Sequence, residues 1–369
     1  MKYNLVARQL GLPGLALLLV ACNGLLLQTP PGTETALTPK QRGVWLIGGL
    51  STSSIGSVLA AVDLYDPVQD AWYPGVTSLP TPVSFAAASF CNGRLYVMGG
   101  FNAAGTVLAT VQIYDLDDDS WSTGTSMPAA RANAYAATVN GRIYVLGGTT
   151  LNAAATPWTA SNLTFEYTPG GTWSTKANYA AANCSERFLL PFNDVIYNFG
   201  GRTGATTVTT AHDGFAVTTN GLSQGTEVVL APARTGIAGV LYTPASGPAL
   251  MAIVGGFTSL TTTNGNFVGQ STGTSLSTSA FQYLYYPFTA PASWQSPVSQ
   301  YPFSIGFSAA ALSGSRIYVF GGTDVVTAAA NGLNIAYSFD LSNLAGTGTW
   351  TVEASMPAGR YGHAAVTVQ

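Results

Sequence analysis

Asn140-Gly-Arg-Ile-Tyr-Val-Leu-Gly147-Gly148 decides the fold, because it returns in altered form along the chain. The same strand-and-glycine ending reads Trp45-Leu-Ile-Gly48-Gly49, Tyr96-Val-Met-Gly99-Gly100, Tyr197-Asn-Phe-Gly200-Gly201, Ala252-Ile-Val-Gly255-Gly256 and Tyr318-Val-Phe-Gly321-Gly322. Six copies at a spacing near fifty residues are the mark of a ring or array of repeated units, and this outranks any local assignment.

The repeat is plainest from residue 84. Ser84-Phe-Ala-Ala-Ala-Ser-Phe is a strand of small residues suited to a crowded axis, Asn92-Gly93 is a two-residue hairpin turn, and Arg94 to Met98 returns. After Gly99-Gly100 comes a loop, then a third strand over Leu108 to Asp115, a turn at Asp117 to Ser120, and a fourth strand from Trp121. The unit closes with Met127-Pro128-Ala-Ala-Arg131. A glycine pair, Tyr-Asp, Trp seven residues after the Tyr, then Met-Pro-x-x-Arg resembles the kelch repeat. Tyr65-Asp66 with Trp72 and Tyr114-Asp115 with Trp121 match closely; Tyr167 with Trp173 and Phe339-Asp340 with Trp350 match more loosely. The fourth repeat, Gly200 to Pro232, has no tryptophan, and the fifth is overlong.

The resemblance implies an all-β, six-bladed kelch-type β-propeller over residues 43–369. The chain enters at Gly43 on a second strand and leaves through Tyr361 to Val368, which has the composition of a first strand. One blade is therefore expected to be closed by pairing of the N- and C-terminal segments, which leaves the ring no open edge.

Composition narrows the partners. Only 8% of residues are charged and the net charge is -3, so no basic face exists on which nucleic acid would release counterions. Aromatics at 11% within 47% hydrophobic residues demand a core. Lys2 and Arg8 precede an apolar run from Leu10 to Ala21, too short to span a bilayer, which reads as a signal peptide over residues 1–21. Its end, Leu19-Val20-Ala21-Cys22, resembles a bacterial lipobox, so Cys22 is the expected lipidation site. Residues 22–42 then form a flexible tether, and membrane attachment is through that lipid. The expected location is the cell envelope, at the outer membrane or cell surface. Cys91 and Cys184 remain in the folded part and are expected to be buried free thiols.

In an antiparallel meander, the loops after the glycine pairs share one mouth of the channel with the links that enter each first strand. That mouth has the longer loops, Thr149 to Leu163 and Phe257 to Ser279 among them. Arg131, Arg187, Arg234 and Arg360 are read as equivalent residues ahead of four first strands, with Val83 and Ile305 in the other two blades. Arg202 follows Gly201 at the same mouth, and Glu186, Asp213 and Asp324 lie nearby. Such guanidinium groups would grip a carboxylate in bidentate fashion, and kelch propellers that bind acidic peptides use arginines on this face. An arginine after Met-Pro is also part of the repeat itself, where it braces loops.

The expected work is that of a binding module whose arginine-lined loop mouth (Arg131, Arg187, Arg202, Arg234, Arg360, Asp324) holds a glycan or a protein, with no cofactor and no metal. A second reading follows from the six-bladed secreted sialic acid mutarotases: ring opening of an acidic sugar, with Glu186, His212 or Asp213 moving the proton. A third is a structural envelope protein. Galactose-oxidase copper chemistry is not expected, because the chain has two histidines, and one of them, His363, falls at an ordinary repeat position.

Overall fold

The computed structural model describes residues 37–150, 159–180, 183–204, 207–223, 228–262, 271–276, 281–288, 292–324, 331–344 and 348–368. The expected signal peptide, the expected lipidation site Cys22 and the expected tether as far as residue 36 lie outside the described residues. Residues 39–42, assigned to the tether from sequence, are a helical turn instead. Pro39 opens it, and the Gln41 side chain accepts from the Thr38 backbone N–H at 3.0 Å. Arg42 then grips Asp66 at the end of the first blade's third strand, with Nη2 to Oδ2 at 2.6 Å.

Six antiparallel sheets follow, each numbered here by blade and read from the axis outwards. Blade 1 is Ala364–Thr367, Val44–Ile47, Ala61–Asp66 and Ala71–Ser78; blade 2 is Ala87–Cys91, Arg94–Met98, Val111–Asp115 and Ser120–Gly124. Blade 3 is Tyr135–Val139, Arg142–Leu146, Thr164–Tyr167 and Trp173–Lys176; blade 4 is Phe188–Phe192, Val195–Phe199, His212–Ala216 and Gly221–Leu222. Blade 5 has three strands, Ala238–Tyr242, Leu250–Val254 and Phe281–Tyr285; blade 6 is Ala309–Ser313, Arg316–Phe320, Ala336–Asp340 and Thr351–Val352. The innermost strands neighbour one another in a closed circle, with Ala364–Thr367 between those of blades 6 and 2. The terminal closure is direct: Val44 pairs with Thr367 and Ile47 with Ala364.

The turns are built as the sequence requires. Asn92-Gly93 has φ of 50° and 75°, and Asn140-Gly141 has 51° and 71°, the left-handed pair of a type I′ turn. The glycine pairs have a different cause. A Cβ on the first glycine would meet the carbonyl oxygen four residues ahead of the next blade's inner strand, at 2.2 Å from Val83 O for Gly48 and 2.2 Å from Arg131 O for Gly99. In five of the six pairs the second glycine's N–H donates to that same oxygen, as in Gly100 to Arg131 O at 2.8 Å and Gly322 to Arg360 O at 2.9 Å, while Cys184 O, faced by Gly147, accepts from Tyr179 Oη at 3.1 Å. Each pair is thus a point where two blades approach too closely for a side chain.

The aromatic pattern forms the outer core. Tyr65 packs on Trp72 at 4.9 Å between centroids, Tyr114 on Trp121 at 5.1 Å, Tyr167 on Trp173 at 4.7 Å and Phe339 on Trp350 at 5.4 Å. The indole N–H then reaches back to the preceding blade: Trp72 to Ala354 O, Trp121 to Thr77 Oγ1 and Trp173 to Thr125 O, all at 2.7 to 2.8 Å.

Two repeats depart from the plan. Blade 4, without a tryptophan, has an outer strand of two residues. The long stretch after Gly256 contains a hairpin, Phe257–Thr262 with Ser271–Leu276, where the sequence suggested a plain loop. Blade 5 ends in a stub, in which Gln295 pairs with Tyr283 through two hydrogen bonds of 2.9 Å. That register makes Trp294 the fifth-blade counterpart of Trp121.

Candidate functional site

Three positions ahead of every inner strand build the loop mouth. The residue three before the strand forms an antiparallel bridge with the residue after the glycine pair of the same blade, in all six blades: Leu50 with Tyr361, Ser84 with Phe101, Ala132 with Thr149, Ser185 with Arg202, Thr235 with Phe257 and Gly306 with Thr323. The next residue has positive φ throughout: Phe85, Asn133, Glu186, Gly236, Phe307 and Gly362 at 52°, 54°, 59°, 66°, 54° and 59°. These six circle the axis, joined by main-chain hydrogen bonds. Asn133 N–H donates to Phe85 O, Glu186 to Asn133 O, Phe307 to Gly236 O, Gly362 to Phe307 O and Phe85 to Gly362 O, at 2.7 to 3.0 Å. The circle opens between Glu186 and Gly236.

The collar has an apolar half and a polar half. Phe85 and Phe307 meet edge to face at 5.6 Å and cluster with Leu50, Phe101, Phe257 and Tyr361. Their rings lie where a Cβ on Gly362 or Gly236 would fall, so glycine at those two positions makes room for the plug. The opposite half carries Asn133, Glu186, Arg202 and Thr235. Glu186 is buried and accepts from Arg202 Nη2 at 2.5 Å and from Thr235 Oγ1 at 2.6 Å.

Inside the collar lies an axial cavity of about 220 Å³, walled by Ala86 to Ala88, Ala134, Ala136, Ala238, Ala309, Ala310, Ala364 and Ala365. That is room for about seven waters at their liquid volume. Its polar members are Asn133, Tyr135, Glu186, Ser308 and His363, and no arginine or lysine lines it. Asn133 is 3% exposed, and among the described residues neither end of its amide has a hydrogen-bond partner; nor do Ser308 Oγ and the two His363 ring nitrogens. Burial and the nearby Glu186 charge push the Tyr135 phenol well up, so it stays a neutral donor. Burial, then the Arg360 charge, hold His363 well below the usual histidine range and keep it neutral.

The arginines do not line an opening. Arg131 and Arg187 are 3% exposed, Arg202 1%, Arg234 and Arg360 0%. Arg131, Arg234 and Arg360 each turn into their own blade to meet the third-strand residue two before the Tyr position. Arg360 donates to Asp63 and Arg234 to Gln282, while Arg131 lies 5.0 Å above the Phe165 ring. In blade 2, where Val83 replaces the arginine, Gln112 at that third-strand place bonds the Thr81 backbone instead. A guanidinium without water costs several kcal/mol unless such partners replace its hydration, which is why these side chains are committed.

Arg187 is not the fourth member of this set. Gly147 faces Cys184 O as Gly99 faces Arg131 O, so Cys184 holds the equivalent place. Arg187 stands three residues later, in the position of His363, and reaches Asn198 and Asp213, with Nε at 2.9 Å from Cys184 Sγ. Asp213 is thereby tied to a buried arginine, away from the cavity wall. His212 bonds Val228 O through Nδ1 at 2.9 Å and packs on Phe199 at 4.0 Å; burial pulls it down to about 4, the Val228 bond opposing. Neither residue lines the cavity. Asp324 is exposed. Cys91 and Cys184 are buried free thiols, and among the described residues no cluster of three or more His, Cys, Asp or Glu is placed to hold a metal ion. Asn133, Tyr135 and Ser308 escape a sequence reading that follows charge; Asn133 and Ser308 stand within the two positions ahead of their inner strands, and Tyr135 opens the inner strand of blade 3.

The chain is a six-bladed β-propeller carrying kelch repeats. Residues 82–128 and 306–357 match the Kelch motif family. The solved structure titled "Structure of YjhT" is similar over 86% of this chain and 98% of its own, at 15% identity and a TM-score of 0.59, a likeness of fold. No curated protein matches the chain.

Proposed function

We propose that this protein is an exported, lipid-anchored binding module that takes a small neutral, hydroxyl-rich ligand, a monosaccharide or the end of a glycan, into the axial cavity. The observation that carries this reading is Asn133, a buried residue of the cavity wall whose amide donor and acceptor have no partner among the described residues, set among alanine methyls and aromatic rings. Buried polar groups are nearly always bonded, so an orphaned pair at a cavity is a place for a ligand or water. A neutral ligand is favoured over the acidic one suggested by sequence, because no cation reaches the cavity and the arginines are spent on Asp63, Asp213, Glu186 and Gln282.

Titration calorimetry of the full chain against neutral monosaccharides and N-acetylneuraminate tests it. Binding of a neutral sugar, weakened by Asn133→Ala, is expected; binding of the acidic sugar alone would overturn the reading.

Glu186 favours one second reading. A carboxylate on the cavity wall, 2.5 Å from a guanidinium, with Tyr135 as a neutral hydroxyl, has the parts for proton transfer at an anomeric carbon. Exchange spectroscopy between sugar anomers would decide: acceleration lost in Glu186→Gln marks an enzyme, and an unchanged uncatalysed rate marks a binder.

A further inference from the structure

Exposed charge is confined to one face of the ring. Among the described residues, the exposed charged side chains Asp70, Arg94, Asp117 to Asp119, Arg142 and Asp194 stand on or beside the tight turns, and Asp324 alone stands at the loop mouth. The loops that follow the glycine pairs, residues 50–60, 101–110, 149–163, 202–211, 257–280 and 323–335, contain no charged residue besides Arg202 and Asp324. Arg202 is buried against Glu186. The partly exposed charges at the mouth ends of strands are already bonded: Lys176 to Glu166 at 3.2 Å, Asp213 to Arg187, and Glu353 to the Ser338 hydroxyl.

The same loops present hydroxyls and amides in place of charge. Ser54, Thr106, Thr150, Thr203 and Thr207 are exposed and Asn102 is half-buried. Two of the loops are braced alike, with Asn102 N–H donating to Thr106 O at 3.1 Å and Thr203 N–H to Thr207 O at 3.0 Å. Asn102 Oδ1 also accepts from the N–H groups of Ala104 and Thr106 at 3.0 and 2.9 Å. The loops of blades 1 and 6 are joined to each other, Gly332 N–H donating to Ser51 O at 2.9 Å and Thr52 bridging Asn331. A surface held in one shape beforehand loses less freedom on binding.

Resting on the binding reading above, we propose that the loop face is a docking surface for a neutral polysaccharide, laid across the hydroxyl- and amide-bearing loops around the mouth of the axial cavity. A protein partner would bring charged side chains at about a quarter of its residues, and against this face they would lose water without gaining a pair. An anionic lipid surface is held by exposed lysine and arginine, which the described residues of this face lack. A neutral polysaccharide brings hydroxyls alone, to which serine, threonine and asparagine both donate and accept.

The test is depletion of the full chain from solution by amylose, cellulose and a β-1,3-glucan, with alginate as the acidic probe. One of the neutral polymers is expected to bind, with an affinity unchanged between about 0.05 and 0.5 M salt because no ion pair is there to be screened, and alginate is not. The double variant Thr106→Asp with Thr207→Asp places uncompensated charge on two exposed loops and is expected to weaken the polymer about tenfold. Val68→Asp, at an exposed position on the turn face, is expected to leave it unchanged. Wild-type affinity in the double variant, preference for alginate, or loss of binding with salt would each overturn the docking surface. Binding of a neutral monosaccharide with no polymer bound would overturn it and leave the binding reading standing, whereas binding of neither would remove both.

Discussion

The guanidinium of Arg360 donates to the carboxylate of Asp63, tying the turn before the chain's last strand to the third strand of the first blade. Both side chains are buried, and this pair closes the ring beside the backbone ladder of Val44 to Ile47 with Ala364 to Thr367. Removing one partner strands the other without water. Arg360→Ala is expected to cost about 3–5 kcal/mol of unfolding free energy. Arg131→Ala, which leaves no carboxylate behind, should cost about 1–2 kcal/mol from the lost ring contact and hydrogen bonds. Urea unfolding of the two variants checks the order; equal losses would show that the stranded carboxylate is not what matters.

Trp350 is the counterpart of Trp72, Trp121 and Trp173, yet its Nε1 has no acceptor among the described residues. The three partnered indoles donate to the outer edge of the preceding blade, and blade 5 ends there in a stub. Phe for Trp at 72 should therefore lose a 2.7 Å hydrogen bond and strand the Ala354 carbonyl, costing about 1–3 kcal/mol beyond the ring itself. Trp350→Phe removes an N–H that bonds nothing and should cost less. Comparison of melting temperatures under one buffer tests the difference.

Histidine sets the acid limit. His212 is pulled down to about 4 by burial, against about 6.5 in an unfolded chain. The unfolded state therefore binds the proton first, so stability is complete above pH 6.5 and falls as pH drops towards 4, by about 3 kcal/mol. His363 shifts the same way and adds to the fall. Below that window Asp66 and Asp340, whose carboxylates are held low by hydrogen bonds that offset burial, extend the loss. Denaturant midpoints at pH 7.5, 5.5 and 4 should decline stepwise, and His212→Phe should flatten the first part of the decline. A midpoint constant down to pH 4 would mean that neither histidine is buried neutral.

The repeat made the blades, the closure and the Tyr–Trp pairs legible, because glycine pairs, Asn-Gly turns and aromatic spacing are each fixed by a local steric need. The arginines misled for a physical reason. Charge suggests exposure, and their partners Asp63, Asp213 and Gln282 sit on a strand distant in sequence. The partners were nevertheless readable, since each stands two before the Tyr position of its repeat. Arg187 was assigned to the wrong column because blade 4 puts Cys184 where Met-Pro-x-x-Arg would put arginine, and the alignment is fixed by contacts, Gly147 against Cys184 O and Ser185 with Arg202. The collar was not readable at all. Positive φ at Phe85 and Phe307 is imposed by the ring of main-chain bonds, against the preference of an aromatic residue.

The collar makes two glycines unequal that look alike in sequence. Gly362 and Gly93 both have positive φ, 59° and 75°. A Cβ on Gly93 meets nothing within 4 Å, whereas one on Gly362 falls 2.5 Å from the Phe85 ring. Gly93→Ala should therefore cost about 1 kcal/mol, the left-handed penalty alone. Gly362→Ala adds displacement of Phe85, which is wedged between Phe307 and Tyr361, for a total of about 2–4 kcal/mol. Because the displaced ring caps the cavity, Gly362→Ala should also weaken any ligand held there, while Gly93→Ala, at the far end of its strand, should not. Equal binding by the two variants would place the ligand away from the collar.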